Sequence, residues 1–346
     1  MDTDWHTFDD PASGEEAQPL HVLILGGTGF LGRHISRAFI SAGWAVTAYH
    51  STNFEPFHHP RYQHIIGDRR DADTFQNTLA SRYFDCTIDL IGHDEESADS
   101  AAEALFGRTQ HHVHLSSDAV YRVLRGIPRP WREEDDHGPL IDRTQTNAAW
   151  FDSGVANRKA EEVVRETVNR KGFPATIVRT SHVSGPYDSS LGDFIHMLRI
   201  LDGEPLVVPQ PSGSFRHILA SDLAAIILRI ASHPRKTIGR TYNAAGASIV
   251  SLTEYLELLA TLLQKPIRLA PVPADKCEAL LADPSLLFYY PHDAIPDTTR
   301  LELDLAFRPR GIEQFLPRVV EWFQREYKGD PPPAFHILRK RESELL

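Results

Sequence analysis

Cysteine is nearly missing from this sequence: Cys86 and Cys277 are the only two in 346 residues. They are too few for a disulfide framework, and neither stands in a cluster with metal-ligand spacing. Uninterrupted apolar runs of roughly 18 residues are also missing, as is the charged-then-apolar pattern of a secretory leader. A membrane span or an exported chain is therefore not expected, and the cytoplasm is the expected compartment. Positive charge is in deficit too, with 36 basic side chains against 47 acidic ones and a formal charge of −11. That balance disfavours a nucleic-acid partner. The expected partner is a small-molecule substrate, with the chain a monomer or homodimer.

What is present is enough for a sizeable core. At 41% hydrophobic residues, the chain can fill one large domain and a smaller appended one. Residues 1–19, rich in acid, glycine, proline and serine, read as a loose leader. The 18 histidines include the pairs His58-His59 and His111-His112. Neither pair has helical i, i+4 spacing and no cysteine or carboxylate completes a ligand set, so loop or strand-edge histidines are expected and no metal. The acidic run Glu133 to Asp136 reads as a solvated loop.

The strongest local signal lies at residues 20–36. Strand-compatible residues His21 to Leu25 run into Gly26, Gly29 and Gly32, after which Ile35, Phe39 and Ile40 share one helical face. This is the pattern of a buried strand, a tight turn and a helix N-terminus. Glycines let the backbone approach a pyrophosphate, and the N–H groups of the helix start attract its charge.

Strands are expected at 21–25, 44–49, 62–66, 86–91, 111–116 and 175–180, with helices near 29–41, 73–82, 97–107 and 150–171 between them. Such alternation specifies an α/β fold, a Rossmann-type doubly wound parallel sheet, with the nucleotide across the carboxyl ends of the strands. After residue 183 the pattern loosens into a helix near 189–202, the turn-rich Pro209–Gly213, a helix at 220–232, the run Thr241–Asn243 and an amphipathic helix at about 311–327. The expected plan is a dinucleotide-binding domain at 20–183 plus about 215–263. A smaller, discontinuous C-terminal substrate-binding lobe takes 184–214 plus 264–330, and a solvated tail takes 331–346.

A chain that selects NAD usually places Asp or Glu at the end of its second strand to hold the adenosine ribose. Here Thr47 to Asn53 contains no acid. With Arg33 close by, the turn carrying His50 and Ser51 suits a 2′-phosphate, so NADP(H) is the expected cofactor and NAD the alternative.

Several stretches together resemble the atypical, NAD-dependent epimerase/dehydratase-like branch of the extended short-chain dehydrogenase/reductase superfamily. Gly26-Gly-Thr-Gly-Phe-Leu-Gly32 is similar to its cofactor loop, Gly67-Asp-Arg-Arg-Asp71 to its adenine-edge motif, and Leu115-Ser-Ser-Asp-Ala-Val-Tyr121 to its strand-five signature. Val178 to Pro186, Phe215 to Ala224 and Tyr242 to Gly246 resemble later landmarks, in the right order across about residues 20–330. The resemblance implies that Gly26, Thr28, Gly29, Phe30, Leu31, Gly32, Arg33, His50, Ser51, Asp68, Ile91, Gly92, Ser116 and His182 surround the cofactor. It also implies that Ser117 holds a substrate oxygen.

One hallmark of the superfamily is absent. Its usual Tyr-x-x-x-Lys pair, in which the tyrosine moves the proton and the lysine holds the ribose, occurs nowhere in this sequence. In the matching stretch Trp150 to Glu162, one register makes Lys159 the family lysine and Val155 the tyrosine position. The other aligns Gly154 and Glu161 with two landmarks, so that Ser153 replaces the tyrosine and Asn157 the lysine. The second matches more landmarks and is preferred. A positioned acid or base is worth about 10²–10⁴ in rate, and oxidation of an unactivated alcohol needs it most. The expected reaction is therefore reduction of an activated, aromatic or polyketide-like ketone, as in specialised metabolism, with Ser117, Ser153 and Asn157 binding and His182 as proton donor. Tyr121 and Tyr187 are alternative phenols. A nucleotide-sugar epimerase or dehydratase and a non-catalytic nucleotide sensor or RNA-associated protein are the alternative functions.

Overall fold

The computed structural model describes residues 18–188, 192–280 and 292–346. The expected leader lies almost wholly outside the described residues. Six strands, β1 (His21–Leu25), β2 (Ala45–His50), β3 (Tyr62–Ile66), β4 (Cys86–Asp89), β5 (His112–Ser117) and β6 (Ala175–Thr180), join Thr241–Ala244 in one parallel sheet. The order runs from Thr241–Ala244 through β6, β5, β4, β1 and β2 to β3. Val22 to Leu25 are fully buried, as expected of a strand covered on both faces.

Helix α1 (Phe30–Ser41) turns Ile35, Phe39 and Ile40 onto one face of the sheet, beside the helix Ala220–Ser232. On the other face lie α2 (Ala72–Leu79), α3 (Glu95–Leu105) and, after the one-turn α4 (Ala119–Arg122), the long α5 (Ala148–Lys171). The alanines on α3 let α5 approach it closely.

A separate apolar core builds the second lobe from the helices Gly192–Leu201, Leu252–Leu263 and Ile312–Glu326 and the parallel pair Leu206–Gln210 and Leu269–Pro273. Two boundaries differ from expectation. Leu252–Leu263 buries Leu252, Tyr255, Leu256 and Leu259 in this second core rather than under the sheet. The supposed solvated tail forms a helix, Pro333–Leu345, that buries Phe335 and Leu338 and ion-pairs Glu342 with the fully buried Arg199. Its few apolar residues are diluted by charge in sequence, but a buried guanidinium cannot stay unpaired.

The acidic run is likewise not all solvated. Glu133 and Asp136 are buried: Asp136 binds Arg179 at 2.5 Å, and Glu133 accepts from the backbone N–H of Asn243 at 2.9 Å. His111 and His112 are buried at and in β5 rather than at a solvated edge, bonded to Thr176 and Thr87 at 2.8 Å each. Among the described residues no helix is long and apolar enough to cross a membrane.

Candidate functional site

The strand order reverses between β1 and β4, and the loop after β1 opens into the crevice that this creates. Gly26 takes φ +86, and its N–H donates to Tyr49 O at 2.9 Å. A Cβ on Gly27 would lie 2.5 Å from Ala48, and one on Gly32 would collide with the Gly26 carbonyl. Gly29 caps α1 with no side-chain acceptor, and the first turn carries no acid. The first-turn N–H groups are thus left for an anion. Thr28 is buried beside them, Leu31 packs into the sheet core, and Phe30 meets His34 edge to face at 5.6 Å.

The rest of the crevice is shaped for the same kind of ligand. Ile91, partly exposed, sits against Gly26, and Gly92 has no room for a Cβ beside Asp89. Gly67 would collide with the Tyr49 hydroxyl if it bore a side chain. Asp68, on the surface, is held well below the usual carboxylate range by Arg70, whose Nη2 lies 2.7 Å away. These glycine-walled approaches fit a dinucleotide.

From the first turn of α1, Arg33 extends its guanidinium to 4.7 Å from the ring of Phe54, which follows β2, and 4.9 Å from that of Tyr187. Tyr187 adopts the left-handed φ of 69, a conformation costly for a bulky residue and typical of functional sites. Ser51 is exposed in the adjacent turn. His50 needs correction as a phosphate ligand: it is 5% exposed against His64, and burial lowers its pKa. A neutral buried ring supplies no positive charge.

On α5, Gly154 packs where a Cβ would lie 2.5 Å from Val123 and 2.7 Å from the Ala119 carbonyl. Glu161, fully buried, accepts from Ser116 at 2.6 Å and from Arg179 at 2.6 and 2.9 Å. Ser116 is therefore corrected as a cofactor ligand, since its hydroxyl is committed to Glu161. Lys159 is exposed, 3.6 Å from Glu95. Asn157 is buried and donates to the Ser153 carbonyl at 2.9 Å, while its Oδ1 accepts no hydrogen bond among the described residues.

A cavity of about 400 Å³ opens beside Ser117 and Ser153. Ser117 Oγ accepts from the Ala119 N–H at 3.2 Å, and Arg122, ion-paired with Asp118, stands on the same wall. Trp131, Trp150 and Phe151 form the apolar side. Trp131 lies in the stretch between α4 and α5, to which the sequence pattern assigns no role. It is buried, stacks on Tyr121 at 5.2 Å, and its indole N–H meets no acceptor among the described residues. A Pro-Trp pair in a long insert was the only signal.

His182 does not suit the donor role expected of it. It packs against His217 with ring centroids 4.7 Å apart, and burial, with Arg122 adding to it, pushes its pKa down to about 3. At neutral pH it holds no extra proton to give. Tyr121 is also committed, donating to Asn243 at 2.8 Å and accepting from Arg179 at 2.6 Å. Two His and Asp clusters that spacing did not reveal do come together, Asp89 with His112 and His114, and His182 with Asp193 and His217.

Against known proteins, the chain is 25% identical over 249 residues to the chloroplast stem-loop binding protein of 41 kDa b from Arabidopsis thaliana, across 66% of this chain and 60% of that protein. The chain thus spans about three fifths of that relative's length. It is 24% identical over 343 residues to a UDP-N-acetyl-alpha-D-glucosaminuronate decarboxylase from Bacillus cytotoxicus, across 89% of this chain and 98% of the other. An epimerase structure from Methanothermobacter thermautotrophicus matches with TM-score 0.72 and 16% identity over 90% of this chain and 94% of that one. A dTDP-glucose 4,6-dehydratase from Streptomyces venezuelae, solved with NAD and TYD bound, matches with TM-score 0.70 and 18% identity over 89% and 98%. At such identities the likeness is one of fold. A model of the NAD dependent epimerase/dehydratase family matches residues 22–245, from β1 to the far edge strand of the sheet, and the chain belongs to that family.

Proposed function

We propose that the chain is an NADP(H)-dependent reductase of activated, aromatic or polyketide-like ketones. The observation that carries this reading is the cavity wall: serines stand at 117 and 153 where the reacting oxygen would lie, aromatic rings face them, and Tyr121 is tied to Arg179 and Asn243. A nicotinamide, when bound, supplies hydride. The loop Gly26–Gly32 and the α1 N-terminus would hold its pyrophosphate, Arg33 and Ser51 the 2′-phosphate, and the Asn157 Oδ1 a ribose hydroxyl. Asp68, Ile91 and Gly92 would border the adenosine.

Ser117 and Ser153 donate to the ketone oxygen, and the Arg122 guanidinium steadies the charge that develops there. No phenol lines this cavity among the described residues, so the acceptor spreads charge itself and takes its final proton from water or from His292, which also lines the cavity. Trp131, with its indole N–H, suits a flat substrate bearing an acceptor. Dehydrogenation of an unactivated sugar alcohol would lose the most from the missing base, at about 10²–10⁴ in rate.

The test is NADPH consumption with a panel of aromatic β-diketones and quinones. Loss of NADPH absorbance, with Asn157→Ala weakening the nucleotide about tenfold, supports the reading. Turnover of a UDP- or dTDP-sugar with no net NADPH loss would replace it with the epimerase or dehydratase reading, which the relatives' names favour. Calorimetry showing binding of neither NADPH nor NADH would end both.

A further inference from the structure

The strands His182–Ser184 and His217–Leu219 run parallel, side by side, and the helix Gly192–Leu201 closes over them. At that junction His182, Asp193 and His217 each offer one ligand atom within 4.8 Å of the others. Asp193 is 1% exposed; its Oδ1 accepts from the Tyr255 hydroxyl at 2.5 Å, while its Oδ2 meets no hydrogen-bond donor among the described residues. Asp188 borders the same space, because a Cβ on Gly192 would lie 2.6 Å from Asp188 Oδ2 and 3.0 Å from His182 Nε2. Glycine at 192 keeps that space open.

We propose that His182, Asp193 and His217 bind a divalent transition metal of the zinc class, with Asp188 as fourth ligand. Two imidazoles and carboxylate oxygens are a donor set that zinc accepts tetrahedrally, at about 2.0–2.2 Å. Small rotations close the present spacing onto such an ion. The surrounding groups orient the ligands in the way outer-shell partners of metal sites do. The Ser184 hydroxyl donates to Asp193 and lies 2.8 Å from His217 Nδ1, so it accepts from that nitrogen and leaves the lone pair on Nε2. Arg199 donates to His196 Nδ1 at 2.9 Å, so the His196 hydrogen sits on Nε2, behind the ligands.

The second His and Asp cluster shows what makes this one a cation site. Asp89 already receives the Arg69 guanidinium on both oxygens, at 2.7 and 3.1 Å, and His112 is bonded to Thr87 at 2.8 Å. Its charge is balanced by the protein. Around Asp193 no arginine or lysine forms an ion pair among the described residues; the recorded partner is His217, at 3.6 Å. The inference is independent of any nucleotide or ketone.

The test uses the full chain, dialysed against a chelator and titrated with Zn²⁺ by calorimetry near neutral pH. One zinc per chain is expected, with a rise in thermal midpoint as binding pulls the folding equilibrium. Asp193→Asn and His217→Gln should each weaken binding by more than about 100-fold, and His114→Gln, in the arginine-balanced cluster, should leave it unchanged. If the variants do not fold, X-ray absorption of the zinc-loaded natural chain decides: a shell with two imidazoles supports the site. No zinc uptake, uptake that survives both substitutions, or a shell without imidazole overturns it.

Discussion

Arg179 and His182 lie three residues apart in the chain, yet the buried polar groups around them solve the same electrostatic problem differently. Around Arg179, a guanidinium meets Glu161 and Asp136 and gives a further hydrogen bond to Tyr121. Every charge there is answered by another from the chain, and Arg179 is held charged while Glu161 and Asp136 are held low. Around His182, two carboxylates and three imidazoles gather. Burial drives the imidazoles neutral and raises Asp193 to about 7. The first nest is answered by arginine, whereas in the second no arginine or lysine forms an ion pair with Asp193 among the described residues. A buried cluster is therefore better classified by its charge balance than by its residue types.

The largest effect should come from breaking the balanced nest. Arg179→Met leaves the buried Glu161 and Asp136 with the partly exposed Arg165 as their one remaining arginine among the described residues, and removing one partner of a buried pair costs about 3–5 kcal/mol. The urea midpoint should fall accordingly; an unchanged midpoint would mean that the nest contributes only rigidity.

The second nest should respond to pH with the opposite sign. Asp193 is raised from its unfolded value of 3.8 to about 7, so its protonated form is favoured on folding. That stability is fully present below pH 4 and is lost as pH rises toward 7. Glu161 and Asp136 are lowered, so their contribution is present above about pH 4.5 and fails only in more acid solution. His182, His196 and His217 are lowered as well and gain as pH rises toward 6.5, with no further gain above it, which opposes Asp193. The comparison must therefore be between the chelated natural chain and Asp193→Asn, which keeps the imidazoles and Asp188. Between pH 4 and 7 the difference in unfolding free energy should grow by about 2–4 kcal/mol in favour of Asp193→Asn. Parallel curves would show that Asp193 titrates alike folded and unfolded.

A smaller effect sharpens the contrast inside the first nest. Ser116→Ala removes one neutral donor to Glu161 while the guanidinium remains, and should cost about 1–2 kcal/mol in the same denaturation assay. Smallest of all, Lys159→Ala, two residues from Glu161 but exposed beside Glu95, should change stability by less than about 0.5 kcal/mol. Its nucleotide affinity by calorimetry should stay within about twofold.

Much of the glycine-walled crevice was legible because its signals are local. The run His21–Leu25, the glycines after it and the face Ile35–Ile40 specify strand, turn and helix with no help from distant residues. The sheet followed from alternation for the same reason. The polar nests were not legible, because their members come from positions as far apart as Asp89 and His114, or Asp193 and Tyr255, with no spacing rule to join them. His182 was misread because its pKa was taken as that of a solvated ring, and only packing against His217 reveals the burial. Glu133 and Asp136 looked like part of a surface run because only its first and last members turn inward, which a contiguous count of charges hides.

The ion pair between Arg199 and Glu342 has a consequence for how the chain is made. Its partners are 143 positions apart, and Arg199 belongs to the helix that also carries Asp193. During vectorial synthesis the parallel sheet can assemble while that arginine still waits for its carboxylate. The second lobe can set only once Glu342 has left the ribosome, so the His182 cluster takes shape after the parallel sheet.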